Sequence, residues 1–144
     1  MKTPNSNPAF SLEFLDHVAI TVADMHKSID WYQRVLGLQP LKLRQWGDIP
    51  VFMVSGSFGV AIFPTKSQEQ HSATGEHPRI DHFAFHVSKE NFAKAKTHFA
   101  SISQEFYEED HFYFRSLYMN DPDGHKVELT TLSVTDKEFK LDLS

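Results

Sequence analysis

The chain carries nine histidines and no cysteine, so any metal it holds must be bound through nitrogen and oxygen. The missing cysteine also excludes disulfides, thiolate catalysis, cysteine-ligated zinc and iron–sulfur clusters. Two histidines stand in a repeated setting. Leu15-Asp16-His17-Val18-Ala19-Ile20-Thr21-Val22 is echoed 65 residues later by Ile80-Asp81-His82-Phe83-Ala84-Phe85-His86-Val87. Glu128 sits in His125-Lys126-Val127-Glu128-Leu129-Thr130, where a carboxylate among aliphatic residues is costly unless it is paired or holds a cation. Two imidazoles and one carboxylate, with positions left open, suit non-haem iron(II) and also manganese(II) or other divalent ions. On these residues alone an alternative stays open: the imidazoles cap the starts of their strands and Glu128 pairs with a lysine.

Residues so far apart meet only if the intervening elements repeat. Each Asp-His run reads as a strand, on which His17 faces the same way as Ala19 and Thr21, and His82 the same way as Ala84 and His86. Asp24 caps a predicted helix over Met25–Leu36, with Met25, Ile29, Tyr32 and Leu36 on one face and Gly37 as its stop. Ser88 caps a second helix from Lys89 to about Ala100, with Phe92, Ala95 and Phe99 at helical spacing. Three strand-like runs follow each helix: Gln39–Leu43, Val51–Ser55 and Gly59–Phe63, then Gln104–Glu108, Phe114–Asn120 and His125–Thr131. Asp121-Pro122-Asp123-Gly124 suits a type I turn. The class is therefore α+β, with two βαβββ modules.

At 144 residues and a net charge of -5, with 40% hydrophobic residues, the chain reads as one domain. We expect an arm over 1–12, a domain over 13–131 divided at 13–64 and 79–131 by a linker over 65–78, and a tail over 132–144. The charge and the lack of a basic tract argue against nucleic acid. No run approaches the roughly 20 apolar residues of a membrane span, and no signal-peptide pattern opens the chain; the expectation is cytoplasmic. No Gly-rich phosphate loop or Ser-His-Asp arrangement is visible. His86 shares the face of His82 and is a candidate pocket residue. Phe52 and Trp46 are candidate aromatic lining for an apolar, aromatic substrate. Trp31 reads as packing. His71 and His77 could reach a site as acid or base if the linker folds over it.

The chain resembles the vicinal-oxygen-chelate superfamily, which includes glyoxalase I, extradiol dioxygenases, fosfomycin-resistance enzymes, methylmalonyl-CoA epimerase and bleomycin-binding proteins. The resemblance is carried by Asp16-His17-Val18-Ala19-Ile20, by Trp31 to Leu38, by Ile80 to Phe85 and by Tyr118 to Leu129, and covers about residues 13 to 131. It implies two βαβββ modules forming a cupped mixed sheet around a divalent metal, with ligands mapping onto His17, His82 and Glu128. Iron(II) or manganese(II) would suit them, and zinc, nickel or magnesium occur in the family's chemistry. It also implies a homodimer and a small substrate that chelates the metal through adjacent oxygens.

Departures narrow the branch. Many glyoxalase-like members place a fourth ligand, a glutamate, on the strand that here reads Gly59-Val60-Ala61-Ile62-Phe63-Pro64. Fosfomycin-resistance enzymes typically have threonine where this chain has Ala19. The extradiol signature fits at His111, Leu117, Tyr118, Asp121, Pro122, Gly124 and Glu128, and departs at Glu109. By that resemblance His111 and Tyr118 would be the catalytic pair, hydrogen-bonding a metal-bound oxygen. Three readings result: extradiol-type ring cleavage; a non-redox lyase, isomerase or fosfomycin-type reaction; and a binding protein without turnover, which the retained ligand set disfavours.

Overall fold

In His17–Val22 (β1), apolar residues at every second position bury Ile20 and Val22 on one face and leave His17 and Thr21 exposed on the other. The computed structural model describes residues 9–66 and 78–138. After β1 come helix α1 (Met25–Leu36), β2 (Gln39–Leu41), a 3₁₀ turn (Arg44–Trp46), β3 (Val51–Ser55) and β4 (Phe58–Pro64). The second half repeats the plan with β5 (His82–His86), α2 (Lys89–Ser101), β6 (Tyr107–Asp110), β7 (Phe114–Asn120) and β8 (Lys126–Leu132). The strands form two four-stranded mixed sheets, ordered β1-β4-β3-β2 and β5-β8-β7-β6. In each sheet the first strand pairs parallel with the last, and the other pairings are antiparallel. The architecture is two βαβββ modules. Among the described residues no helix is long and apolar enough to cross a membrane.

Both helices start where their caps predict. The Asp24 carboxylate accepts the Lys27 amide and the Ser88 hydroxyl accepts the Asn91 amide, each at 3.1 Å. Gly37, at φ 71°, ends α1 by donating to Gln33 while Leu38 donates to Tyr32. The stripe that α1 buries is offset from the predicted one, for Ser28, Trp31, Tyr32 and Val35 are buried while Met25, Ile29 and Leu36 are only partly so. The reason is that α1 packs on its own sheet and also on the second module. Trp31 is 6% exposed, and its indole N–H donates to Gln104. One apolar cluster, including Trp31, Val35, Phe92, Phe99, Leu117 and Val127, therefore spans both modules.

Several strand boundaries shift from the sequence reading, those of β2 and β6 by the most among the strands that follow the helices. β2 ends at Leu41 instead of Leu43, because its partner β3 begins only after Pro50, which has no amide to extend the ladder. β6 runs over 107–110 instead of 104–108. Gln104 is spent closing α2, its amide donating to the Phe99 carbonyl at 2.9 Å, and the strand starts three residues later. The Asp121–Gly124 turn closes as predicted, with the Gly124 amide donating to the Asp121 carbonyl at 3.0 Å. His71 and His77 lie outside the described residues.

Candidate metal centre

The parallel register of β5 and β8 sets Ala84 beside Glu128 and His82 beside Lys126, so the His82 and Glu128 side chains rise from one sheet face. His82 Nε2 lies 2.9 Å from Glu128 Oε2. The other imidazole nitrogen, Nδ1, is 2.8 Å from Asp81 Oδ2, which as a carboxylate accepts its proton and turns Nε2 toward Glu128. Glu128 is 8% exposed. Its second oxygen, Oε1, accepts the hydroxyl of the fully buried Ser116 at 2.6 Å. Each group is thus held from behind, and the proton that joins Nε2 to Oε2 would have to leave before the two could bind an ion.

His17 repeats half of this pattern: its Nδ1 is 2.7 Å from Asp16 Oδ1. In place of a carboxylate, it meets the edge of Phe52, with ring centroids 5.1 Å apart. Among the described residues no three metal-competent side chains converge on one point. The placement of β1 and β5 explains this. His82 lines a cleft of about 560 Å³ with Ala19 and Thr21 of β1, and His17 lines another of about 370 Å³ with Ala84 and His86 of β5. The structure brings His82 and Glu128 together and leaves His17 outside the pair. The imidazole of His82 and the carboxylate of Glu128 are donor types that fit a divalent ion.

Beside the pair, Tyr118 stands opposite Glu128 in the β7–β8 register. Its hydroxyl is 2.9 Å from His111 Nε2, and its ring meets His82 edge-on at 5.9 Å. Burial, and then the charge of Glu128, push the Tyr118 phenol above its ordinary pKa, so it remains a neutral donor. Asp81 is held below the usual carboxylate range by its hydrogen bond to His82 and by Lys126. Sequence reasoning missed Ser116 and Tyr107, the latter stacked on Tyr118 with centroids 5.0 Å apart. Both lie on the Tyr118 face, and the two-residue period of their strands was the available signal. His86 shares the second cleft with His17. Trp46, 48% exposed, lies on the turn beyond β2, the outer strand of its sheet.

Paired βαβββ modules, each headed by a histidine tethered to the aspartate before it, define the class by its fold. A family model for the glyoxalase/bleomycin resistance protein/dioxygenase superfamily matches residues 14–129, and the chain belongs to that superfamily. It is similar to the glutathione transferase FosA of Serratia marcescens, 25% identical over 118 residues covering 82% of this chain and 80% of that one. The metallothiol transferase FosB of Lysinibacillus sphaericus (strain C3-41) is 25% identical over 130 residues, 88% of each chain. A glyoxalase/dioxygenase structure from Nostoc punctiforme superposes with a TM-score of 0.71 at 20% identity, covering 90% of this chain and all of that one.

Proposed function

We propose that the chain is a metal-dependent enzyme, working as a homodimer, that promotes attack of a nucleophile on a small oxygen-rich substrate. The observation that carries this is the contact of His82 with Glu128, each braced from behind by a second polar group. The third ligand is His17 of a second copy, since a chain's own His17 faces another cleft. Manganese(II) or iron(II) suits two imidazoles and a carboxylate. When bound, such an ion supplies Lewis acidity to two adjacent substrate oxygens. Tyr118, kept neutral, donates its proton toward a developing oxyanion, and His111 orients that hydroxyl. Ala19, Phe52 and Ala61, which share the His17 face of the first sheet, supply an apolar wall. The names of the two relatives, a glutathione transferase and a metallothiol transferase, favour a thiol as the nucleophile.

A second reading is extradiol-type ring cleavage. It draws on the Tyr118–His111 hydrogen bond, which joins the two residues that the extradiol fingerprint pairs. Metal analysis of chelator-free protein separates the two readings. Manganese or zinc with thiol addition to fosfomycin supports the first; iron with oxygen uptake on catechols supports the second. Metal-free protein that still binds small ligands would leave sequestration.

The shared site has its own test. Mixing His17→Ala and Glu128→Ala chains should restore about a quarter of wild-type metal sites, because a two-fold heterodimer keeps one intact site of two. No restoration after subunit exchange would place all three ligands in one chain.

A further inference from the structure

The two modules are joined through α1. Asp121, 5% exposed, divides its carboxylate between two tasks. Oδ1 accepts the amides of Asp123 and His125, both at 2.9 Å, and so folds the turn that launches β8. Oδ2 accepts the hydroxyl of the fully buried Tyr32 at 2.8 Å. Burial and the Asp121 charge push the Tyr32 phenol far above its ordinary pKa, so it stays a donor. Asp123 accepts the Ala23 amide at 3.0 Å and the hydroxyl of the buried Ser28 at 3.3 Å, and His125 Nε2 donates to the Thr21 carbonyl at 2.9 Å. Three residues of one turn thus grip the C-terminal end of β1 and the first two turns of α1.

The grip has consequences at both ends. Glu128 is three residues beyond His125 on β8. His17 is four residues back from Thr21, roughly 13 Å along a strand, where it faces Ala84 and His86 and not His82.

We propose that the staple of Tyr32, Asp121, Asp123 and Ser28 is a positioning device: it sets the angle between modules that withholds His17 from its own chain's His82 and Glu128 and presents it to a second copy. The inference rests on the shared metal site proposed above. Tyr32 and Asp121 touch no ligand; they act through β1 and β8.

The test measures dimer dissociation by sedimentation and Mn²⁺ affinity by electron paramagnetic resonance, on wild type, Tyr32→Phe and Ser28→Ala. Tyr32→Phe should remain folded by circular dichroism yet weaken both constants about tenfold, the lower end of the cost of losing support behind a metal site. Ser28→Ala should move both the same way by less, and it decides the matter if Tyr32→Phe does not fold. A variant with a lowered melting temperature but both constants unchanged would show a purely structural tie and overturn the proposal. So would a wild-type monomer whose Mn²⁺ binding is lost on His17→Ala. If the wild type is a dimer that binds no Mn²⁺, the metal reading falls alone, and an unshifted dimer constant in Tyr32→Phe would then overturn the staple.

Discussion

Superposing the two modules by their strand registers pairs His17 with His82, Ala19 with Ala84, Gly59 with Lys126, Ala61 with Glu128 and Phe52 with Tyr118. The frame is preserved in detail. Both histidines rest on the preceding aspartate, at 2.7 and 2.8 Å, and both meet the edge of an aromatic ring on the third strand. The chemistry is not preserved. The second module puts a carboxylate, a phenol and an ammonium where the first has a methyl group, a phenyl ring and a bare glycine. The repeated frame keeps the means of aiming an imidazole, while the carboxylate, the phenol and the ammonium stand on one side. The first module offers a single donor and an apolar wall.

The largest effects should fall where the modules differ most. Glu128→Ala should lower metal affinity by at least about 100-fold, beyond the loss expected for a supporting residue; metal content after dialysis reads this directly. The matching change in the first module, Ala61→Glu, sharpens the comparison. Ala61 is 3% exposed, so an unpaired glutamate there should destabilise metal-free protein. Its melting temperature should recover on metal addition if position 61 faces the ion as Glu128 does. Glu128→Ala protein that retains its metal would break the assignment.

Next come the helices. Phe99 of α2 is 1% exposed within the shared apolar cluster, and Phe99→Ala should cost about 3–5 kcal/mol in urea unfolding. Both modules contribute to that cluster, so unfolding should stay a single transition. Two transitions would show that the modules melt apart and that the polar ties of α1 alone connect them.

Gly59 and Lys126 face opposite demands at equivalent positions. A Cβ on Gly59 would collide with the Met53 carbonyl, so Gly59→Ala should destabilise by about 1–3 kcal/mol. Lys126 is 36% exposed on its side chain, and Lys126→Ala should leave thermal stability nearly unchanged.

The repeat was legible because an aliphatic-Asp-His strand start and a 3.6-residue period leave marks in a single chain. His82 and Glu128 were legible for the same reason, being a histidine and a carboxylate at points of a strand where neither is expected. What stayed hidden was everything set between modules. Sequence periodicity showed α1 one apolar face, whereas the structure buries Ser28 and Trp31 against a second partner. Asp121 and Asp123 read as turn formers, which they are, but their carboxylates point at a helix some 90 residues earlier, and no local pattern reports that. The separation of His17 from Glu128 has the same origin, for the angle between modules is written in long-range contacts.

The smallest expected effect marks where the sheets themselves part company. Extending the register, Glu108 is the second module's equivalent of Lys42, just past the point where β2 stops and β6 continues. Glu108 accepts from Lys96 at 2.7 Å and from Arg115 at 2.9 Å. Those bonds, Lys96 foremost, hold its carboxyl below the ordinary value of 4.5. A carboxyl whose folded pKa is depressed adds stability above its unfolded pKa and loses it as pH falls through the folded one. With both cations half exposed, the contribution should be at most about 1 kcal/mol. Glu108→Gln should therefore melt slightly below wild type from pH 7 to about pH 5, and the gap should close in more acidic solution. A gap that persists or widens there would mean that β6 is held by its backbone ladder and the packing of Phe106 beside it, and that the charge cluster is incidental to the longer second sheet.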